Sequence, residues 1–368
     1  MELVTLSKQY GNFYAPAYTV RVGADDLMRD LLVAVSQLEI DLALGAAARF
    51  SLTLVNAYDH KSHSFRTGRG DDLLQVVDFG TEVDLFMGYG DSRSLPAAMS
   101  GMITEITTSY PETGSPELAV SGYDHSFPMT LGKNARTWQK TRDSDAVQEI
   151  AAFHNLAAII EPTQEQHAQI EQNQESDFEF VKKLAERNHY EVYVDEKHML
   201  HFARPNDKAT GVVRLVWGEG LLSFKPEANL AGQIAKVEVY GWDRNQKKAI
   251  VGVANAGEES GLSGKSAGQR LQKFVRDPSK RPTLRLRQPV FTQSEANQRA
   301  KAALNERAKQ FLTGEAEAIG LPDLRPDRNV QLDNLGPLFS KTYYIQQATH
   351  KVDTNGYRTR FKVKETGL

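Results

Sequence analysis

The sequence predicts an α+β fold: antiparallel β units towards both ends and a small α/β insertion between them. Three observations carry this. Residues 1–130 hold several short runs of alternating apolar and polar residues, separated by turn signals. Residues 131–205 switch to helical spacing. Residues 314–366 return to strict alternation and read as a closing meander.

In the first stretch Tyr18, Val20 and Val22 alternate with Thr19 and Arg21, and Phe50, Leu52 and Leu54 with Ser51 and Thr53. Val83, Leu85 and Met87 form a third strand. Ile103 and Ile106 lie in a fourth, which breaks at Tyr110-Pro111-Glu112-Thr113-Gly114. Leu118 and Val120 lead a fifth into Gly122-Tyr123-Asp124. Short strands so punctuated suit a sandwich or a small barrel.

In the insertion, Ser144 or Asp145 is placed to cap a helix carrying Val147, Ile150, Phe153 and Ala157. Ser176-Asp177-Phe178-Glu179 is a capping box for a second helix with Phe178, Val181, Leu184 and Ala185 on its apolar stripe. Tyr190 to Phe202 reads as a hairpin turning near Asp195-Glu196-Lys197.

Strands resume at Val212–Trp217 and Ile234–Trp242. Gly252–Gly268, rich in Gly, Ser and Ala, is expected to be a mobile loop. Thr292 with Glu295 caps a helix carrying Ala300, Ala303, Leu304 and Phe311. In the meander, Val330 and Leu332 mark one strand and Tyr343 to Ile345 the next. Asn355-Gly356 predicts a type I′ hairpin, which needs positive φ twice. In the last strand Tyr357, Thr359, Phe361 and Val363 face one way, and Arg358, Arg360, Lys362 and Lys364 the other.

An internal repeat is visible. Gly122-Tyr123-Asp124 recurs as Gly241-Trp242-Asp243. Val83-x-Leu85 followed by Ser100-Gly101-Met102-Ile103 parallels Val330-x-Leu332 followed by Ser340, Tyr343 and Ile345. The expectation is two related β units in one chain.

Composition narrows the function. The 368 residues allow two or three domains, and the net charge of −3 argues against a nucleic-acid binder acting by bulk charge. There is no cysteine, so disulfides, thiolate nucleophiles and cysteine metal sites are excluded. No signal peptide is visible, and no run approaches the ~18 apolar residues of a membrane helix. His60 and His63 lack further ligands and read as a solvated loop. His198 and His201 would point to opposite faces of a strand, and His154 reads as a packed or surface residue. Gly264-Lys265-Ser266 lacks the first glycine of a phosphate loop, Glu259 standing in its place. Acid pairs such as Asp25-Asp26 and Asp71-Asp72 read as solvated. No cofactor or metal site is expected.

The charge layout says more. Residues 265–309 hold twelve Lys/Arg, among them Arg281, Arg285 and Arg287, against three acids. Residues 161–179 hold six acids, among them Glu171, Glu175 and Asp177, and no Lys or Arg. Opposite patches in a near-neutral chain suit contacts between subunits or with neighbours. Two solvated charged faces would show the same pattern. A nucleic-acid surface is disfavoured, because Phe274 and Phe291 are the only aromatics in the basic run.

The chain resembles a known family. The residues that carry this at the end are Gly320-Leu-Pro-Asp-Leu-Arg-Pro326, Val330-x-Leu332, Leu335-Gly336, Phe339-Ser340, Tyr343-Tyr344-Ile345, His350 and Gly356-Tyr357-x-Thr359. In the middle, Glu175-Ser176-Asp177-Phe178, Leu184-Ala185-Glu186-Arg187-Asn188 and Tyr190 add to them. These are similar to the baseplate hubs of contractile tails, the phage late control protein D family. The same pattern occurs in the N-terminal region of type VI secretion spike proteins of the valine–glycine repeat type.

The resemblance implies two similar β-barrel domains, residues 1–130 and 206–368, around an α/β insertion, residues 131–205: a phage tail hub-like architecture. It implies a homotrimer whose six barrels match a sixfold tail tube to a threefold spike and line a channel. Its partners would be the tail tube protein, the spike protein and other baseplate proteins, with no sequence-specific nucleic-acid binding and no membrane insertion. It would be assembled in the bacterial cytoplasm as part of a phage tail or tail-like particle. The chain stops after the second barrel, so the spike tip is expected to be encoded separately. Arg281, Arg285, Arg287, Glu171, Glu175 and Asp177 are the candidate assembly residues. Two other classes compete: a tail-associated peptidoglycan hydrolase and a soluble carbohydrate-binding β protein. An enzyme predicts a cleft with perturbed acids or histidines; a hub predicts interaction surfaces on more than one face.

Overall fold

The computed structural model describes residues 1–207, 211–243, 246–260 and 264–368. Six long strands form the first unit: Pro16–Val22 (β1), Ala34–Ala43 (β2), Arg49–Val55 (β3), Glu82–Tyr89 (β4), Ala97–Ser109 (β5) and Glu117–Asp124 (β6). Their order in the sheet is β1-β4-β5-β6-β3-β2. Alternation makes each strand two-faced, and the inward faces meet in one core: Val20, Leu38, Ile40, Phe50, Leu52, Val83, Leu85, Ile103 and Val120. All six strands feed that core, so the sheet wraps around it. At ~1.5–3 kcal/mol for each large apolar side chain, this burial is the main force holding the unit.

The insertion follows. Asn134–Arg142 (β7) pairs with Gln166–Glu175 (β9). Asp143–Phe153 (α1) and Asp177–Asn188 (α2) pack on Ala157–Ile160 (β8), Glu191–Val194 (β10) and Met199–Ala203 (β11). β10 and β11 are the expected hairpin; β8 lies parallel to β11. Ser176 caps α2, with Glu179 closing the capping box. Two expectations for this region are corrected. Neither Ser144 nor Asp145 is the cap of α1: both lie inside its first turn, and Asp145 accepts the N–H of Arg142, which is the cap. The helix ends at Phe153, which is 67% exposed, because Asn155 turns left-handed (φ 56°); Ala157 then starts a strand. The polar run 166–175 is a strand with Ile170 and Gln172 inward.

The second unit contains Val213–Trp217 (β12) and Gly220–Ala228 (β13). A small side sheet comes next: Lys236–Asp243 (β14), Lys248–Asn255 (β15) and Thr283–Arg287 (β16), covered by Gln293–Ala308 (α3). Leu312–Ile319 (β17), Asn329–Asp333 (β18), Lys341–Asp353 (β19) and Gly356–Glu365 (β20) complete it. The pairings β12-β18-β19-β20-β17-β13, with β13 back on β12, close a six-stranded barrel.

Numbered within each unit, both therefore have the strand order 1-4-5-6-3-2. Strands two to six also run in matching antiparallel directions. The first strand differs: β1 is antiparallel to β4, whereas β12 is parallel to β18. The barrel expectation is met by closure in the second unit; in the first, β1 and β2 are not paired to each other.

The second half of the predicted repeat holds, since β4–β5 and β18–β19 occupy equivalent places. The first half does not: Gly122 lies in β6, Gly241 in the side sheet. Other corrections are local. Gly252–Asn255 belongs to β15 and Ser266 caps a short helix, so only the part of the expected loop at 261–263 lies outside the described residues. Phe311 lies beyond the end of α3, buried before β17. In the β19–β20 hairpin, positive φ falls on Gly356 (98°) and not on Asn355. The left-handed step follows the two loop residues, as in a turn with a glycine bulge rather than type I′.

Candidate assembly interface

The two units are joined edge to edge. Leu38–Ala43 of β2 pairs antiparallel with Gln347–Val352 of β19, making one continuous sheet of both units. The inward side of this seam is apolar and closed: Leu38, Ile40, Leu42, Ala348 and Val352 are all buried. On the outward side, Asp41 accepts from Gln347 Nε2 (2.9 Å) and Thr349 Oγ1 (2.9 Å).

Within the seam, opposite Ile40, the inward side carries one polar residue, His350, 2% exposed. Its Nε2 lies 3.0 Å from the Leu324 carbonyl; its Nδ1 lies 2.9 Å from Tyr357 Oη and 3.2 Å from Thr359 Oγ1. The neutral ring, donating from Nε2 and accepting at Nδ1, satisfies this setting. Burial, with Arg325 nearby, pushes its pKa down to about 3. Thus His350, Leu324, Tyr357 and Thr359, scattered through the resemblance motifs, form one buried network. Its role is to hold the seam and not to exchange protons with solvent.

The outward face of β20 is basic, as predicted. Arg358 and Arg360 reach Glu317 on the adjacent β17 (2.8 and 3.6 Å), so the row is interleaved with acids.

The candidate residues fall in separate places. Arg285 and Arg287 are exposed on β16, Arg285 pairing with Glu238 of β14 (3.1 Å); Arg281 is half-buried just before β16. Glu171 is exposed on β9, and Glu175 pairs with Lys183 (2.8 Å). Among the described residues no ion pair joins this acidic set to this basic one. Asp177 is corrected: it is 1% exposed and already bound by Asn134 (3.0 Å), Gln172 (2.8 Å), His154 (2.8 Å) and Arg136 (3.2 Å). Burial raises its pKa, but the donors Gln172, His154 and Asn134 outweigh this and hold it low. Its charge stabilises the insertion and is not offered to a partner. The basic run is thinned in the same way, because Arg299 pairs with Glu295 (2.7 Å) and Lys309 with Glu191 and Glu306 (2.9 Å each), the first two bridges largely internal.

A further network escaped the sequence. Asp143 at the start of α1 takes hydrogen bonds from Arg187 and Asn188 at the end of α2, and His167 stands 3.4 Å from Asp143 and 3.6 Å from Glu295. Asn188 also accepts from Gln298 of α3 (3.0 Å). These contacts tie the insertion to the side sheet's helix. Burial, with Arg299 nearby, pushes the Arg187 pKa down to about 9.

The acids whose pKa is raised by burial are each engaged. Asp124 accepts from the Ala48 and Ser126 N–H groups, Asp327 from Asn206 N–H and Tyr344 Oη, and Glu191 from Lys309. Among the described residues, no group of His, Asp and Glu could hold a metal ion.

Residues 16–354 match the family model described as the Alg8 N-terminal domain. The fold is similar to that of a 43 kDa tail protein of prophage MuSo2 from Shewanella oneidensis, with TM-score 0.70 and 12% identity over 95% of this chain and 98% of that one. It is similar to a tail protein from Neisseria meningitidis, with TM-score 0.69 and 13% identity over 96% and 97%. An E. coli component of the type VI secretion system follows at TM-score 0.56 and 11% identity, over 94% of this chain and 76% of that one. No curated protein matches the sequence. At these identities the likeness is one of fold, and the fold is that of tail proteins.

Proposed function

We propose, from its tail-protein fold, that this chain, which belongs to the Alg8 N-terminal domain family, is a structural baseplate hub of a contractile tail or injection particle. The observation that carries this reading is the shared strand order of the two units and their edge-to-edge seam. One chain thus presents two like units side by side. Three copies present six, which is how a threefold assembly can meet a sixfold tube with like surfaces. In this reading the homotrimer lines a channel, docks the tail tube protein on one face and seats the spike protein on the other, among further baseplate proteins.

Residues 1–130, 131–205 and 206–368 are its three functional divisions, and kinship with the late control protein D family follows from the same motifs. It is assembled in the bacterial cytoplasm as a tail component and acts without catalysis or cofactor. The relatives' descriptions as tail and type VI secretion proteins support this reading. Light scattering over a concentration range tests it. A mass near three times 41.0 kDa is expected; a protein that stays at 41.0 kDa throughout overturns the self-assembling hub.

A further inference from the structure

The two units match rung by rung. Register breaks fall at Ile103/Glu105 in the β5–β6 ladder and at Ile345/Gln347 in β19–β20. They fall again at Val35/Gln37 in β2–β3 and at Leu221/Ser223 in β13–β17. The turns before the fourth strands dock alike on the fifth: Ile103 N–H donates to the Thr81 carbonyl and the Ile103 carbonyl accepts from Gly80 N–H, while Ile345 N–H donates to the Arg328 carbonyl and the Ile345 carbonyl accepts from Asp327 N–H. Gly80 and Asp327 both have positive φ (79° and 60°). These coincidences fix which residues correspond. Ile106, Thr107 and Tyr110 answer to Ala348, Thr349 and Val352; Phe224, Glu227 and Ala228 answer to Leu38, Asp41 and Leu42.

Inside the chain, the second strand of the first unit pairs with the fifth strand of the second. The complementary pair of edges is left over. β13 meets β12 only at Gly220 and Leu221, so beyond Leu221 its outer edge pairs with no strand among the described residues. β5 pairs with β4 only as far as Met102, so beyond Ile103 that edge is free as well. Exposure agrees. The seam residues Leu38, Ala348 and Val352 are buried, yet their counterparts Phe224 and Ile106 are half-exposed and Tyr110 is 62% exposed. An unprotected edge carrying apolar residues is a template for another strand.

Resting on the self-assembling hub proposed above, we propose that residues 105–110 of one copy pair antiparallel with residues 224–229 of a second copy. The register repeats the internal seam: Thr107 stands opposite Glu227 as Thr349 stands opposite Asp41. A head-to-tail contact with the same geometry as the internal one continues the same rotation from unit to unit, and six such steps make a ring if they complete one turn. Leu44 N–H donates to the Gln346 carbonyl, which turns the N–H groups of the even-numbered residues of β2 towards β19. By correspondence Pro226 faces the second copy, and without an N–H it leaves that rung one hydrogen bond short.

The chain has no cysteine, so engineered pairs report cleanly. Thr107 and Glu227 are exposed and fall at a rung without mutual hydrogen bonds, where Cβ atoms come closest. The full-length single variants Thr107→Cys and Glu227→Cys are mixed and mildly oxidised. A disulfide-linked two-chain species is expected in the mixture and in neither variant alone, and the double variant is expected to give a three-chain species. Thr108→Cys mixed with Glu227→Cys places the thiols on opposite faces and is expected to give no link. A trimer by light scattering that forms no 107–227 link overturns the ladder and leaves the hub standing. A monomer overturns both.

Discussion

Replacing His350 with Gln should flatten the acid limb of the stability curve. In the folded protein His350 is neutral with a pKa of about 3, against 6.5 for the free side chain. The folded-state value is depressed, so the unfolded chain binds the proton first. Stability from this group is complete above pH ~6.5 and is lost as pH falls towards ~3. Between those limits the loss is about 1.4 kcal/mol per pH unit, or about 3 kcal/mol on going from pH ~6.5 to ~4.5. Gln can still donate to the Leu324 carbonyl but cannot titrate. Burial also depresses the pKa of His125, His167 and His189, which act in the same direction. They are present in both proteins, so they cancel in the difference. The assay is urea unfolding of both proteins, followed by circular dichroism, at several pH values across that window. The variant should start lower at neutral pH and then lose about 3 kcal/mol less by pH ~4.5. Parallel curves would show that His350 carries a proton in the native state, and the buried network as described would be wrong.

Asp177→Ala strips the shared acceptor from Asn134, Gln172, His154 and Arg136. A loss of about 3–5 kcal/mol is expected, read as a fall in the unfolding midpoint; a change under about 1 kcal/mol would return Asp177 to the surface. At Gly252 an added Cβ would stand 2.1 Å from the backbone of Ala296 in α3. Gly252→Ala should therefore cost about 1–3 kcal/mol by lifting the helix from the side sheet, and an unchanged melting temperature would refute that packing. Reversing both Arg285 and Arg287 to Glu should cost the monomer no more than about 1 kcal/mol, since both are exposed and only the surface pair of Arg285 with Glu238 is lost, yet reduce the yield of assembled particles. An unaltered yield would remove the β16 face from the assembly.

How legible each element was depended on whether its burial is periodic. β20 could be read residue by residue because Tyr357, Thr359, Phe361 and Val363 are buried and the residues between them are not. β2 is as long and as buried but went unread: its register break at Val35/Gln37 puts Val35 and Leu38 three apart on one face and spoils the period of two. β7 and β9 are mostly polar, and carry too little apolar signal to be seen. Asp177 was misassigned because charge says nothing about burial until the partners are known, and Asn134 and Arg136 lie some forty residues away.

The repeat shows where sequence comparison of this kind succeeds and where it misleads. Val83-x-Leu85 and Val330-x-Leu332 matched because equivalent strands bury equivalent faces. Gly122 and Gly241 matched for a local reason. A Cβ at Gly122 would stand 2.0 Å from the Met102 carbonyl, and one at Gly241 2.1 Å from Val290, so each is a strand glycine beneath a close neighbour. The same demand arose twice in unrelated places. The free edges of β5 and β13 are the opposite case. In sequence β5 looks like any other strand, and in β13 only Pro226, which has no N–H to give, marks an edge. Only when the order 1-4-5-6-3-2 is seen twice does one internal seam imply a second, and the residues that would form it follow from the matched register breaks. The proposed assembly contact thus rests on topology, and the charged patches that first suggested an interface are in part used up inside the chain.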